Sequence, residues 1–338
     1  MPKVSVIVPT YNRCHVVKKC IGSILAQSMS DWEVIVVDDG SIDATQSLIE
    51  GMKDRRVRYY YKTNGGPASA RNFGLSKANG KYVAFLDSDD FWPENYLEIM
   101  LLHLENNREF DAAYSAITVV HPDGRHEKSY KRPDGKSGWI TVDLFQRGFV
   151  WTSASVFRSS VWQNFFFDEK LNRTYEDRDA FLRLSMHTQF VFVSDVEAYH
   201  RISADSISNE VGVVFTHLLM LERFYFKLGG DKIVPAGIAR KKLSHAYRKV
   251  AEDRRLRKKR QAALVLYGRA IQYWPTDIRL YVGWLKTVFL SSREDPEPSW
   301  TMPDPLGHPV GPHRGRDTVS PGKGTIIYRG LSDRQSGL

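Results

Sequence analysis

Short β-branched and aromatic runs alternate with helix-like segments over the first hundred residues of the chain. The runs lie at 4–8, 32–37, 57–61 and 82–86. Such enrichment over a few residues is typical of strands. Helix-like segments lie between the runs, at 16–26, 43–53 and 67–77. Strands that alternate with helices predict an α/β domain with a mostly parallel central sheet and right-handed crossovers.

Polar side chains follow three of these predicted strands at the point where each strand ends. The three clusters are Pro9-Thr10-Tyr11-Asn12-Arg13, Asp38-Asp39-Gly40-Ser41 and Asp87-Ser88-Asp89-Asp90. Open α/β sheets bind their ligands beyond the carboxyl ends of the strands. We therefore predict that the three clusters, two of which are acidic, share one edge of the sheet.

The third cluster has the composition of a metal-diphosphate site. A Mg²⁺ or Mn²⁺ ion on a diphosphate needs oxygen ligands and few protein carboxylates. One carboxylate would then suffice for the metal, with another left for sugar or ribose hydroxyls. The alternative is that Asp89 or Asp90 caps a helix beginning near Pro93, and we favour this for Asp90. Capping does not explain three mutually repelling acids after a buried strand.

Two further segments allow both a structural and a functional interpretation. The 38–41 cluster fits an Asx-type turn as well as a ligand site. In 64–72, a glycine turn leads into a small-residue helix, whose N-terminus would favour an anion. Arg71 lies one turn into that helix, where it would reach a phosphate or a base, or simply cover the helix surface.

The acidic run Tyr175-Glu176-Asp177-Arg178-Asp179 offers a candidate general base. A hydroxyl acceptor loses a proton as it attacks, and a positioned carboxylate can take that proton. The same acids would also stabilise the N-terminus of a helix over 178–187 through its macrodipole. Spacing alone does not separate these two interpretations.

Taken together, these motifs resemble glycosyltransferase family 2, an inverting group with a GT-A fold. The order and spacing of the matching segments fit over roughly residues 1–205. They are 4–13, 36–41, 64–72, 80–90, and Phe167-Asp168-Glu169 followed by Glu176-Asp177. Each motif is weak alone, whereas their combination is specific.

The resemblance implies a role for each matching position. Thr10, Tyr11 and Asp39 would hold the nucleobase, with Asp39 accepting a hydrogen bond from a uracil-type imide. The full donor-binding set that it implies is Pro9, Thr10, Tyr11, Arg13, Asp39, Gly66, Arg71, Asp87 and Ser88. Asp89 would bind the metal, Mn²⁺ or Mg²⁺, as a DXD motif does. Asp177 would be the catalytic base, with Glu176 as acceptor-side support.

His200 precedes a Ser/Asp-rich loop, 201–208, that resembles the flexible donor lid of the family. The resemblance implies that His200 binds the metal or the diphosphate. An ordinary surface histidine is the alternative.

Positive charge is concentrated in one region that lies beyond the family motifs. Residues 211–290 hold 17 Lys/Arg against 5 Asp/Glu, an excess larger than the net charge of +9 of the whole chain. The remainder is thus near neutral, which argues against a general nucleic-acid binder. Within this helical region, 240–260 carries 11 basic and 2 acidic residues. It would lie on an anionic membrane near a lipid-linked acceptor, or present a solvated face.

These patterns predict a nucleotide-sugar-binding half at 1–105 and an acceptor-binding, catalytic half at 106–210 of one GT-A domain. A basic helical extension at 211–290 and a disordered tail at 291–338, with 7 Pro and 7 Gly, follow. No run approaches the roughly 18 apolar residues of a spanning helix. We expect a cytoplasmic protein, peripheral to the inner membrane face if the extension binds lipid.

The function that we predict is metal-dependent, inverting transfer of a sugar from a nucleoside-diphosphate sugar to a hydroxyl group. UDP is the favoured nucleotide, and a glycan, a lipid-linked or a small-molecule acceptor fits polysaccharide biosynthesis. A non-catalytic sugar-binding or scaffolding module is one alternative, although the acids at 39, 87, 89 and 177 are intact. A nucleotidyltransferase is less favoured, because no glycine-rich loop follows the first strand.

Overall fold

The computed structural model describes residues 1–128, 135–171, 174–202 and 213–289. The strands are β1 (Val4–Thr10), β2 (Trp32–Asp38), β3 (Val57–Tyr61), β4 (Tyr82–Phe85), β5 (Ala112–Val120), β6 (His126–Lys128), β7 (Ser155–Arg158) and β8 (Phe190–Arg201). The helices are α1 (Cys14–Leu25), α2 (Thr45–Glu50), α3 (Pro67–Lys77), α4 (Tyr96–Asn106), α5 (Thr141–Arg147), α6 (Glu176–Leu184), α7 (Val213–Lys227), α8 (Ala236–Leu256), α9 (Arg260–Tyr273) and α10 (Ile278–Val288).

One continuous sheet joins the two predicted halves of the domain. Its order is β3-β2-β1-β4-β7-β5-β6, with β8 paired to β5. β3, β2, β1 and β4 are mutually parallel, whereas β7 runs antiparallel to both β4 and β5. The mixed, mostly parallel α/β sheet predicted from the sequence is therefore confirmed.

β1 and β2 are buried along their whole length because helices cover both faces of the sheet. α3 packs so closely on β1 that a Cβ on Gly74 would lie 2.4 Å from Ile7 Cγ2. The predicted small-residue character of α3 thus serves close helix–sheet packing, and it fixes where Arg71 lies along the strand ends.

The second half of the sheet is built from β5 to β8. β8 runs from Phe190 to Arg201, because a register shift between Ser115 and Ala116 lets it follow β5 to its end. β5 and β6 form an antiparallel hairpin through the turn at 121–124. β7 is only four residues long and follows directly on a 3₁₀ turn, and the sequence motifs did not indicate it.

The predicted helical character of 211–290 is confirmed over 213–289. α7 joins the sheet domain through an ion pair between Arg223 and Asp168. Tyr247 of α8 is fully buried and donates to Glu222 of α7. The predicted tail at 291–338 and most of the loop at 201–208 lie outside the described residues. No helix in the described ranges is long and apolar enough to cross a membrane.

Candidate functional site

The three predicted clusters meet at the carboxyl edge of the sheet. Thr10 pairs in register with Asp38, and Ile7 pairs with Phe85, so that the β1, β2 and β4 ends lie side by side. Pro9 and Thr10 are buried, Tyr11 is 44% exposed and Arg13 is half-buried. Within the described part of the chain, the buried Thr10 Oγ1 has no hydrogen-bond partner. A buried polar atom left unpaired is uncommon and indicates a place where a ligand or water binds.

Asp39 lies in a closed pocket formed by the loop after β3. Its Oδ1 accepts from Lys62 Nζ at 2.7 Å and from the Gly65 N–H at 3.0 Å, and its Oδ2 accepts from the Gly66 N–H at 2.7 Å. Gly66 has a φ of 87°, which only glycine adopts readily. The predicted contact of Asp39 with a uracil imide stays a prediction. Here both carboxylate oxygens accept hydrogen bonds from the loop after β3.

Lys62 is a site residue that the sequence motifs did not indicate. It follows the exposed end of β3, and its ammonium group is held between Asp39 and the Thr63 carbonyl. A cation beside the predicted base pocket would attract an anionic nucleotide. The only signal in the sequence is its position directly after a strand.

The loop after β4 gives each of its three acids a different environment. Asp87 accepts a hydrogen bond from Arg71 Nη2 at 2.8 Å. Asp89 is near Arg13, at 4.0 Å. Burial, followed by the charges of Asp90 and Asp87, raises the pKa of Asp89 to about 6. Ser88 is buried between them. This concentration of desolvated negative charge suits a bound cation.

Asp90 does not cap a helix, and that prediction is wrong. α4 begins only at Tyr96, and Asp90 instead accepts from the Arg201 N–H at 3.2 Å and pairs with His200 Nδ1 at 2.9 Å. β8 extends far enough to deliver both partners, which the sequence did not predict. Asp90 therefore anchors the end of β8 against the acidic loop.

The contact with Asp90 also affects the pKa of His200. Burial lowers the pKa of the His200 imidazole. The carboxylates of Asp90 and then Asp89 raise it by more, so that the resulting pKa is about 9. The same carboxylates favour the protonated imidazole, and a metal could bind Nε2 only after loss of that proton. Its predicted metal role stays a prediction, and its resolved partner is Asp90.

Arg71 lies beneath the site, where it joins the two halves of the domain. Arg71 is 4% exposed, and its Nη1 donates to Glu176 Oε1 at 2.6 Å while Nη2 donates to Asp87. The predicted contact of Arg71 with base or diphosphate stays a prediction. Glu176 is likewise buried, and burial raises its pKa. Its contact with Arg71 anchors the start of α6, and its predicted role on the acceptor side stays a prediction.

The predicted base, Asp177, lies in the first turn of α6 and is half-buried. Tyr175, directly before this helix, has a φ of 65°, a left-handed conformation that costs a non-glycine residue on the order of 1 kcal/mol or more. Its ring stacks on His217 of α7, with centroids 4.8 Å apart. This strained entry fixes the direction in which Glu176 and Asp177 leave the backbone.

The segment Trp151-Thr152-Ser153 contacts three of the predicted site residues, and the sequence motifs did not indicate this segment. Thr152 Oγ1 donates to Asp177 Oδ2 at 3.3 Å, and Ser153 Oγ accepts from the Asp87 N–H at 3.1 Å. The Trp151 ring lies 5.4 Å from the His200 ring. One 3₁₀ turn thus ties the acidic loop to the candidate base.

Among the described residues, no group of three or more His, Cys, Asp or Glu side chains is arranged to hold a metal ion. The site can offer a metal the half-buried carboxylate of Asp89, because Asp87 pairs with Arg71 and Asp90 with His200. The remaining ligands would come from a diphosphate and water. This donor set suits Mg²⁺ or Mn²⁺ on a nucleotide and does not suit a structural metal held by the protein alone.

Comparisons with known proteins show which family and fold this chain resembles. Residues 5–166 match the model of the family described as Glycosyl transferase family 2. An uncharacterized glycosyltransferase of Rickettsia bellii is 44% identical over 128 residues, which are 38% of this chain and 18% of that protein. The chondroitin synthase of Pasteurella multocida is 31% identical over 206 residues, which are 60% of this chain and 21% of that protein.

The chain spans only about a fifth of the length of the first curated relatives that it matches. Among solved structures, S. aureus TarS 1–349 in complex with UDP-GlcNAc superposes with a TM-score of 0.62 at 19% identity. This match covers 85% of this chain and 88% of that one. The predicted GT-A-type fold with a helical C-terminal region is therefore confirmed.

Proposed function

We propose that this chain, whose residues 5–166 match the model of glycosyl transferase family 2, transfers a sugar from a nucleoside-diphosphate sugar to a hydroxyl group, with inversion. UDP is the favoured nucleotide, and a glycan or glycolipid of polysaccharide biosynthesis is the favoured acceptor. TarS, which shares the fold, was solved with UDP-GlcNAc, and this supports a UDP donor. We place the reaction in the cytoplasm.

The observation that carries the proposal is the buried guanidinium of Arg71 between Asp87 and Glu176. Asp87 lies in the loop directly after β4 in the donor half, and Glu176 begins the helix that presents Asp177. A single rigid contact therefore couples the donor carboxylates to the candidate base. Catalysis by proximity requires such a fixed relation between the bound donor and the group that activates the acceptor.

The donor would bind along the ends of β1, β2 and β4. Tyr11 is exposed enough to stack on a base, and Thr10 Oγ1 offers an unused donor and acceptor beneath it. Asp39 would exchange one of its backbone partners for the uracil imide, while Lys62 stays close to the nucleotide. Asp87 retains an oxygen, Oδ2, for the ribose hydroxyls.

Asp89 would hold the Mn²⁺ or Mg²⁺ ion, with Ser88 lining the diphosphate. When bound, the ion supplies Lewis-acid stabilisation of the departing diphosphate. Arg13, 4.0 Å from Asp89, would provide further positive charge toward the leaving group, and His200 is held close by through its contact with Asp90.

For the transfer itself, the acceptor hydroxyl oxygen attacks the anomeric carbon from the side opposite the diphosphate. The bond from that carbon to the diphosphate oxygen breaks, and the nucleoside diphosphate leaves with the electron pair. Asp177 takes the hydroxyl proton, and Thr152 orients its carboxylate. Attack from the opposite side inverts the anomeric configuration.

The test is to incubate the full chain with a panel of UDP, dTDP and GDP sugars, Mn²⁺ and hydroxyl acceptors. We expect release of a nucleoside diphosphate, which Asp177→Asn abolishes although donor binding persists. Asp123→Asn, at an exposed hairpin turn, is the matched control and should remain active. Full activity of Asp177→Asn would exclude it as the base. Pyrophosphate release would indicate a nucleotidyltransferase instead, and donor binding without any product would indicate a non-catalytic module.

A further inference from the structure

α10 carries apolar side chains on two sides, and only one of these sides is packed. Leu280 and Thr287 are buried against the helices before it, and a Cβ on Gly283 would lie 2.5 Å from the Tyr267 ring. The other side carries a run of exposed apolar residues, which we call the apolar stripe: Ile278, Tyr281, Val282, Leu285 and Phe289.

The exposed fractions along the stripe are 74%, 40%, 45%, 49% and 83% in that order. Steps of three and four residues place these side chains on the same side of a helix. Single exposed hydrophobic residues are ordinary, but a contiguous row of them marks a binding surface. Trp284, at 38%, borders the row.

A basic turn between α8 and α9 lies near the C-terminal end of α10. Leu256 is 70% exposed, and Arg257, Lys258 and Lys259 after it are exposed as well. Arg260 donates to the carbonyl oxygen of Val288 at 2.7 Å. This bond holds the basic turn beside the C-terminal end of the apolar stripe, next to Phe289.

We propose that the apolar stripe and the basic turn 256–259 bind the surface of an anionic lipid bilayer. The stripe would enter the boundary between headgroups and acyl chains, while the basic turn contacts the phosphates. α10 is about 16 Å long at 1.5 Å per residue, too short to cross a bilayer core of about 30 Å. The contact is therefore interfacial.

This placement differs from the one expected from the sequence, which assigned membrane contact to 240–260. The apolar residues of α8 that could enter a bilayer are already packed: Leu243, Tyr247 and Val250 are fully buried. Apart from Leu256 at its end, α8 contributes charge only. The apolar surface needed for lipid binding lies on α10.

Charge favours lipid over a second copy of the chain as the occupant of this surface. The region 211–290 has an excess of 12 positive charges, so two copies that pair through the stripe would bring like charges together. An anionic bilayer satisfies both features at once, since it accepts apolar side chains and attracts Lys and Arg.

The experiment is co-sedimentation of the full chain with phosphatidylcholine vesicles, with and without phosphatidylglycerol. We expect binding only when the anionic lipid is present, and weaker binding as salt is raised. Leu285→Glu should lower the affinity at least about tenfold, since it removes an apolar side chain that would enter the bilayer and adds a negative charge. Lys258→Glu should lower it about fivefold or more.

Matched controls distinguish binding through this surface from nonspecific adsorption to the vesicles. Leu102→Glu alters a side chain of similar exposure on α4, and Arg55→Glu reverses a charge far from α10 in the sequence. Both should bind vesicles as the parent does. The proposal is overturned if the parent does not bind anionic vesicles at low salt, or if Leu285→Glu binds them as tightly as the parent. It is also overturned if light scattering shows a dimer that Leu285→Glu dissociates. None of these outcomes depends on the donor or on catalysis.

Discussion

Arg71 and Glu176, 105 positions apart in the chain, form a buried ion pair with Nη1 2.6 Å from Oε1. The second nitrogen of the same guanidinium binds Asp87, so one side chain holds the donor loop and the N-terminus of α6 together. Removing a partner from a buried pair leaves an uncompensated charge, which is far more costly than the pair itself is stabilising.

We therefore expect Arg71→Met to lower the free energy of unfolding by about 3–5 kcal/mol. Combining it with Glu176→Gln should restore part of that loss, because a neutral amide needs no cationic partner. Urea titration of the parent, both single variants and the double variant measures this coupling. Strictly additive effects would show that the two side chains do not interact in solution.

The strand ends were predictable because each strand in the first half is short, apolar and followed at once by polar residues. β1, β2 and β3 occur where the β-branched runs predicted them, and Asp39 and Asp87 follow from the ends of β2 and β4. Local periodicity contains this information, since a parallel strand must be apolar on both faces.

The partners of these acids were not predictable, because they depend on contacts between distant segments. His200 reaches Asp90 only because a register shift lets β8 follow β5 to Arg201. Thr152 reaches Asp177 because β7 enters the sheet between β4 and β5. Neither event leaves a periodic signal, so the sequence indicated neither the contact of His200 with Asp90 nor any role for Thr152.

Asp89 should control metal-dependent binding of the donor. Asp89→Asn removes the half-buried carboxylate that the proposal assigns to the metal, while it keeps the size of the side chain. In calorimetric titrations with UDP and Mn²⁺ we expect at least about a tenfold loss of affinity, since hydrogen bonds and contacts to charged groups contribute about 1.5–3 kcal/mol. Binding of UDP without metal should change little. Unchanged affinity with Mn²⁺ would place the metal elsewhere.

The ion pair between Asp168 and Arg223 should attach α7 to the sheet domain in a pH-dependent manner. Burial raises the pKa of Asp168, but the Lys170 N–H and Arg223 lower it more, so the net shift is downward. A carboxyl group with a lowered folded-state pKa stabilises the fold above its ordinary pKa of about 3.9, and this contribution is lost as the pH falls through the lower folded value.

Asp168→Asn should accordingly lower the free energy of unfolding by about 1–3 kcal/mol at pH 7. The difference from the parent should shrink as the pH falls below about 4, where the parent itself becomes protonated. Denaturant unfolding at a series of pH values measures this, with the exposed Asp123→Asn as control. A difference that stays constant down to pH 2 would contradict the ionic origin of the contact.

Close packing of α3 on β1 gives a stability prediction with a matched control in the same sheet domain. A Cβ on Gly74 would lie 2.4 Å from Ile7, whereas a Cβ on Gly22, in α1, meets nothing within 4 Å. Gly74→Ala should destabilise the fold by about 1–3 kcal/mol through overpacking. Gly22→Ala should be neutral or up to about 1 kcal/mol stabilising, because alanine favours the helix. Equal effects in thermal unfolding would contradict this packing.

Thr152 should act on catalysis through Asp177 alone. Its hydroxyl donates to Asp177 Oδ2 at 3.3 Å, and it does not contact the donor carboxylates of the β4 loop directly. Thr152→Val keeps the shape of the side chain but removes the donor, so kcat should fall roughly tenfold while the Kd for the UDP donor stays the same. Thr152→Ser retains the hydroxyl and should recover most of the rate. A parallel rise in Kd, or no recovery by serine, would mean that Thr152 supports the fold rather than the orientation of the base.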